Sequence, residues 1–164
     1  MSAGRYGESF RCRCGVILEN SMEIRRYRES DRPQLVALWQ RVFPDDPPRN
    51  EPHRMIDAKL AVDDLIFVAD EAGGIIGAAI AGYDGHRGWL YSVAVDAAMR
   101  RKRVGSALCR HAVADLRALG CIKVNLQVRS TNAAVVAFYE SLGFEVEDRI
   151  SMGLIPQTGS RRAD

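Results

Sequence analysis

A short apolar run, a turn filled with cations and a long amphipathic helix follow one another between Trp89 and Leu119. Leu90-Tyr91-Ser92-Val93-Ala94-Val95 is the run and Arg100-Arg101-Lys102-Arg103 the cations. Val104, Leu108, Ala112, Leu116 and Leu119 then recur at the helical period until Gly120 closes the segment. The spacing predicts a helix that opens over 100–107. A helix start exposes unpaired N–H groups, and its dipole adds roughly half a unit of positive charge. Gly105 and the small Ser106 and Ala107 let an anion approach the backbone, and no acid lies between Asp96 and Asp115. A diphosphate is the ligand this arrangement predicts, the alternative being a basic helix start that is merely solvated. The segment has neither the Gly-Lys-Ser/Thr ending of a Walker loop nor the three-glycine spacing of a dinucleotide fingerprint.

The rest of the chain supplies elements to either side. Residues 1–21 read as a tail with no sustained period, and 156–164 as another. Met22–Tyr27 reads as a strand, and Ser30 or Asp31 caps a helix with Pro33 in its first turn. Pro44, Pro47 and Pro48 end that helix, and a second spans about Pro52 to Val62. Leu65–Ala69 and Ile75–Ala81 flank Gly73-Gly74 as a hairpin, with both glycines free to take positive φ. Trp89–Val95 continues the meander. Ile122, Val124, Leu126 and Val128 alternate with polar residues as a strand with one buried face. Asn132 caps a further helix stopped by Gly143, and Phe144–Ile155 supplies one or two last strands. The order β-α-α-β-β-β-α-β-α-β-β is that of an α/β (α+β layered) fold with a mixed central sheet in a single domain over 22–155.

Composition narrows the function classes. At 164 residues and 47% apolar the chain suits one globular core. No run approaches the roughly 20 apolar residues of a membrane helix, and no signal-peptide pattern is read at the start. The expectation is a cytoplasmic protein. A net charge of +2, with no aromatic platform beside the cations, argues against a nucleic-acid partner. Cys12, Cys14, Cys109 and Cys121 form no zinc spacing with His53, His86 or His111, so no metal is expected. From Pro44 to Ala72 eight acids stand against three bases, a stretch suited to attracting an amine.

Two motifs in this frame resemble the GNAT superfamily of N-acetyltransferases. Arg100 and Gly105 match the outer positions of that family's acetyl-CoA motif, Arg/Gln-x-x-Gly-x-Gly/Ala, and Arg103 replaces the middle glycine. Residues 132–144, from Asn132 through Tyr139 to Gly143-Phe144, are similar to Asn-x-x-Ala-x-x-x-Tyr-x-x-x-Gly-Phe, with Val135 where Ala is usual. Gly82-Tyr83-Asp84-Gly85-His86-Arg87-Gly88 further resembles small stand-alone bacterial members of the YpeA type.

The resemblance implies a GNAT-like, mostly antiparallel sheet flanked by helices, and transfer of an acetyl group from acetyl-CoA to a primary amine by direct attack. It implies that backbone groups of Val93 and Val95 pair with the pantetheine arm, and that the N–H of Val93 or Ala94 faces the thioester oxygen. Arg100, Arg101, Arg103, Val104, Gly105 and Ser106 would cradle the pyrophosphate. Asn132 either bonds the pantetheine chain or caps its own helix. Tyr139 would be the general acid for the departing thiolate, against a plain packing role beside Phe138. No general base is assigned among Glu51, His53, Glu71, Asp84 and His86, and Tyr91 is a further candidate for substrate contact. The acceptor stays open among a small-molecule amine, a peptide N-terminus and a protein lysine, and a homodimer is admitted. The competing readings are a protein N-terminal acetyltransferase of ribosomal-protein type and a CoA-binding sensor without activity.

Overall fold

Strands covered on both faces lose the polar alternation of a surface sheet, and the central hairpin of this chain shows it. In β2 (Ile66–Glu71) the first four residues are all buried, and β3 (Gly74–Tyr83) is nearly as enclosed. The computed structural model describes residues 22–156, which fall into two compact units, one ending at Asn125 and one beginning at Leu126. The first holds β1 (Glu23–Arg26), α1 (Arg32–Val42), α2 (Pro52–Leu60), β2, β3, β4 (Arg87–Val95) and α3 (Val104–Ala118). β5 (Lys123–Leu126) follows, and α4 (Ala133–Glu140) is the helix of the second unit. The sheet order is β1-β2-β3-β4-β5, and the first three pairings are antiparallel.

Side-chain phase assigns each helix its face. Ile66 and Val68 join Leu35, Leu38, Trp39 and Ile56 in one cluster with Ala78, Ile80 and Ala94, so α1 and α2 cover that side. Phe67 points the other way and meets His111 of α3 edge-on at 5.4 Å between ring centroids. α1 starts at Arg32 with Pro33 in its first turn as expected, but Asp31 does not cap it with its side chain. The Asp31 carboxylate instead accepts from the Arg28 N–H and pairs with Arg25, which also holds Asp70. Hydrogen bonds from the Arg25 guanidinium hold both carboxyls below the usual carboxylate range. α2 is capped from Glu51, whose carboxylate accepts the N–H groups of His53 and Arg54.

Gly77 sets how closely α3 approaches. A Cβ there would lie 2.9 Å from Val104 Cγ1, 3.0 Å from Leu108 Cδ1 and 3.1 Å from the Ala94 carbonyl oxygen. One of those atoms is backbone and cannot turn aside, so overpacking outweighs the reduced freedom of the unfolded chain. Gly77→Ala is expected to lower stability by about 1–3 kcal/mol, read as a shift in denaturant midpoint. An unmoved midpoint would mean that α3 lifts off without loss.

Three expectations are corrected. The hairpin turn places Ala72 and Gly73, not Gly73 and Gly74, at positive φ (53° and 83°). The Asp70 carboxylate accepts the Gly73 N–H at 2.8 Å and draws the turn back by one residue. α3 begins at Val104 rather than within the cations, because Arg103 is left-handed and cannot continue a right-handed helix. Residues 144–156 form no strand. Their alternation is real, yet Val146, Ile150, Met152 and Leu154 are all at least 74% exposed. A period of two gives a chain one apolar side, but only a neighbour that takes its backbone hydrogen bonds makes it a strand. Among the described residues no helix is long and apolar enough to cross a membrane.

Candidate active site

The candidate site is one continuous piece of chain, from the middle of β4 to the first turn of α3. β4 does not run regularly against β3. Its register passes from Ile80↔Tyr91 to Ala78↔Ala94, so Ala79 alone opposes both Ser92 and Val93. This is a β-bulge, and its extra residue shifts the side-chain phase by one place. Tyr91 and Ala94, three apart, thus pair with Ile80 and Ala78, which are only two apart. Ser92 takes φ 51. No glycine or proline marks the position, so the sequence gives no sign of the bulge. Val93 and Val95 are half-buried and Ala94 is buried.

Beyond Val95 the chain is tied down by Asp96. One carboxylate oxygen accepts the Ala98 N–H at 3.0 Å, and the other accepts from Arg41 of α1 at 3.0 Å. The Ala98 amide first, then Arg41, holds that carboxyl below its ordinary range. Arg101 and Arg103 both adopt φ 64 before α3 begins. The Ala107 N–H closes the first helical bond, to the Arg103 carbonyl at 3.0 Å. The N–H groups of Val104, Gly105 and Ser106 precede it and have no carbonyl within their own helix. A left-handed residue followed by helical ones gathers successive N–H groups into an anion-binding concavity. No acid stands in the first turn, and Arg100, Arg101, Lys102 and Arg103 are exposed around it.

The left-handed backbone explains why this motif ordinarily carries glycine at the place of Arg103. An L-residue there costs roughly 1–2 kcal/mol, which glycine avoids while giving back part of the gain in unfolded-chain entropy. Arg103→Gly is expected to raise stability by about 0.5–1 kcal/mol in equilibrium unfolding. A lowered midpoint would show that the arginine side chain holds the loop.

The other candidates are spread more widely. Asn132 caps α4, its side-chain oxygen accepting the Val135 N–H at 3.3 Å. Tyr139 lies half-buried on the last turn of α4, edge-on to Phe138 at 5.0 Å and to Phe144 at 5.6 Å. Among the candidate bases, Asp84 is bound by the Arg87 and His86 amides and Glu51 by those of Arg54 and His53. Those bonds hold both carboxyls below the usual range and make them weak bases. His53 and His86 are exposed, and Glu71 is half-buried. Cys109 is buried, which pushes its thiol up to about 11, and Cys12 and Cys14 lie outside the described residues. Among the described residues no cluster suits a metal.

A cavity of about 250 Å³, unforeseen in the sequence, opens between α1 and α2. Trp39, Phe43 and Met55 give it apolar walls, and Asp46, Asn50 and Glu51 a polar side. Pro44, Pro47, Pro48 and Pro52 shape it by ending one helix and starting the next. That proline spacing was the available signal.

Residues 32–144 match the profile described as the Acetyltransferase (GNAT) family. The chain is similar to an acetyltransferase of Sodalis glossinidius, 40% identical over 130 residues that cover 79% of this chain and 91% of the relative. It is likewise similar to one of Pectobacterium atrosepticum, 40% identical over 133 residues covering 80% and 94%. Among solved structures it resembles a putative acetyltransferase from Agrobacterium tumefaciens, with a TM-score of 0.68 and 29% identity over 82% of this chain and 99% of that one. It also resembles the ribosomal-protein-S18-alanine N-acetyltransferase of Escherichia coli, with a TM-score of 0.66 and 28% identity over 76% and 78%. The family match over 32–144 and relatives about 40% identical over most of their own length leave one conclusion: the chain belongs to the GNAT family of acetyltransferases.

Proposed function

We propose that residues 22–155 act as one N-acetyltransferase domain that moves the acetyl group of acetyl-CoA to a primary amine by direct attack. The observation that carries this reading is the start of α3, where free amides follow two left-handed arginines directly after the bulged strand. The amides of Val104, Gly105 and Ser106 bind the pyrophosphate, and Arg100, Arg101 and Arg103 add positive charge around it. The backbone of Val93 and Val95 pairs with the pantetheine arm, and the Val93 or Ala94 N–H faces the thioester oxygen as charge gathers there. Tyr139 returns a proton to the thiolate, a mild transfer because unperturbed thiol and phenol pKa values are about 8.5 and 10. Asn132 contributes through its cap on α4.

The cavity between α1 and α2, with carboxylates beside aromatic walls, supports a cationic amine as acceptor. A second reading, acetylation of a protein N-terminus, is favoured by the likeness to the S18-alanine enzyme. Purified protein with acetyl-CoA is expected to release free thiol with at least one member of a panel of small amines, peptides and proteins. Tight acetyl-CoA binding without turnover across that panel would overturn transfer in favour of a sensor.

A further inference from the structure

Helical periodicity accounts for Trp39 as a core residue, and it is 1% exposed. Shape alone would satisfy that role, but a buried indole also needs an acceptor for its N–H. Trp39 Nε1 donates to the Ser92 carbonyl oxygen at 3.1 Å. Ser92 is the left-handed residue of the β4 bulge, where the regular ladder with β3 is broken. Its carbonyl and the Val93 N–H belong to one planar trans peptide, in which C=O and N–H point in opposite directions. Holding the carbonyl toward α1 therefore aims the Val93 N–H away from α1. The same indole forms a wall of the cavity between α1 and α2.

We infer that Trp39 is a positioning residue whose indole N–H locks the Ser92–Val93 peptide plane and so aims the Val93 amide at the acetyl carbonyl. This rests on the acetyl transfer proposed above. A donor placed in advance costs no reorganisation when charge develops, whereas a peptide free to rock loses that advantage.

Trp39→Phe keeps an aromatic ring, smaller than the indole, and removes the donor. The expected result is a kcat lower by about ten- to a hundredfold with KM for acetyl-CoA within about threefold. Infrared spectra of bound acetyl-CoA, labelled with ¹³C at the acetyl carbonyl, supply the readout that lost packing would not move. The stretch is expected to be red-shifted in the parent protein and to return toward its free frequency in the variant. Should Trp39→Phe not fold, tryptophan is replaced biosynthetically by β-(3-benzothienyl)alanine in a Trp89→Phe background, which changes only the N–H at position 39. Normal acetyl-CoA binding with an unmoved stretch and unchanged kcat overturns this inference alone. No acetyl-CoA binding by the parent overturns the transfer reading and this inference with it.

Discussion

Gly105→Glu is expected to weaken acetyl-CoA binding by about a hundredfold or more while leaving the fold intact. Gly105 sits in the first turn of α3 without positive φ, so a glutamate adopts its backbone without strain. An acid near a helix N-terminus even favours the helix, by roughly 0.3–1 kcal/mol. Its charge stands where the proposed pyrophosphate would lie. Two like unit charges roughly 4 Å apart repel by about 4 kcal/mol at an effective dielectric near 20, well above the 2.7 kcal/mol or so of a hundredfold loss. Stability and affinity thus move in opposite directions, and the expected change cannot be mistaken for unfolding. Isothermal calorimetry beside a thermal melt reads both, with Gly105→Ala as the control for bulk alone. Normal affinity in a folded Gly105→Glu protein would place the cosubstrate elsewhere.

The stretch from β4 to α3 was legible because its signal is chemical as well as periodic. Cations, a glycine and small residues at a helix start predict an anion whatever the detailed backbone. What escaped was the backbone itself. Ser92 and Arg103 both take positive φ, and neither is a residue type that advertises it. The Ser92 conformation is held from outside the strand, by Trp39, which contacts it across 53 positions of sequence. Helical spacing reveals that Trp39 is buried but says nothing of what its N–H meets. The opposite error occurred over 144–155, which reads in sequence as one or two strands. There apolar residues recur, but among the described residues no strand pairs with them. The cavity was missed for a third reason, since prolines announce where helices stop without saying what space their ends enclose.

Tyr139→Phe is expected to reduce kcat by about a hundredfold and to leave acetyl-CoA affinity within about threefold, the signature of an interaction made only as the thiolate departs. The substitution keeps the ring contacts and the backbone bonds of the helix end. Edge-on contacts of the ring with Phe138 and Phe144 need no hydroxyl. The Tyr139 carbonyl accepts the N–H groups of Leu142 and Phe144, at 2.9 and 3.1 Å, whichever aromatic residue is present. Those bonds and left-handed Gly143 close the end of α4, so the phenylalanine ring occupies the same position. A hundredfold loss at an unmoved thermal midpoint then belongs to the proton and not to the scaffold. The check is steady-state kinetics with the best acceptor from the amine panel, repeated with thioesters of more acidic thiols. If Tyr139 supplies the proton, the defect narrows as the leaving thiolate becomes more stable. A defect of constant size would reduce Tyr139 to an orienting role, and an unchanged kcat would remove it from the mechanism.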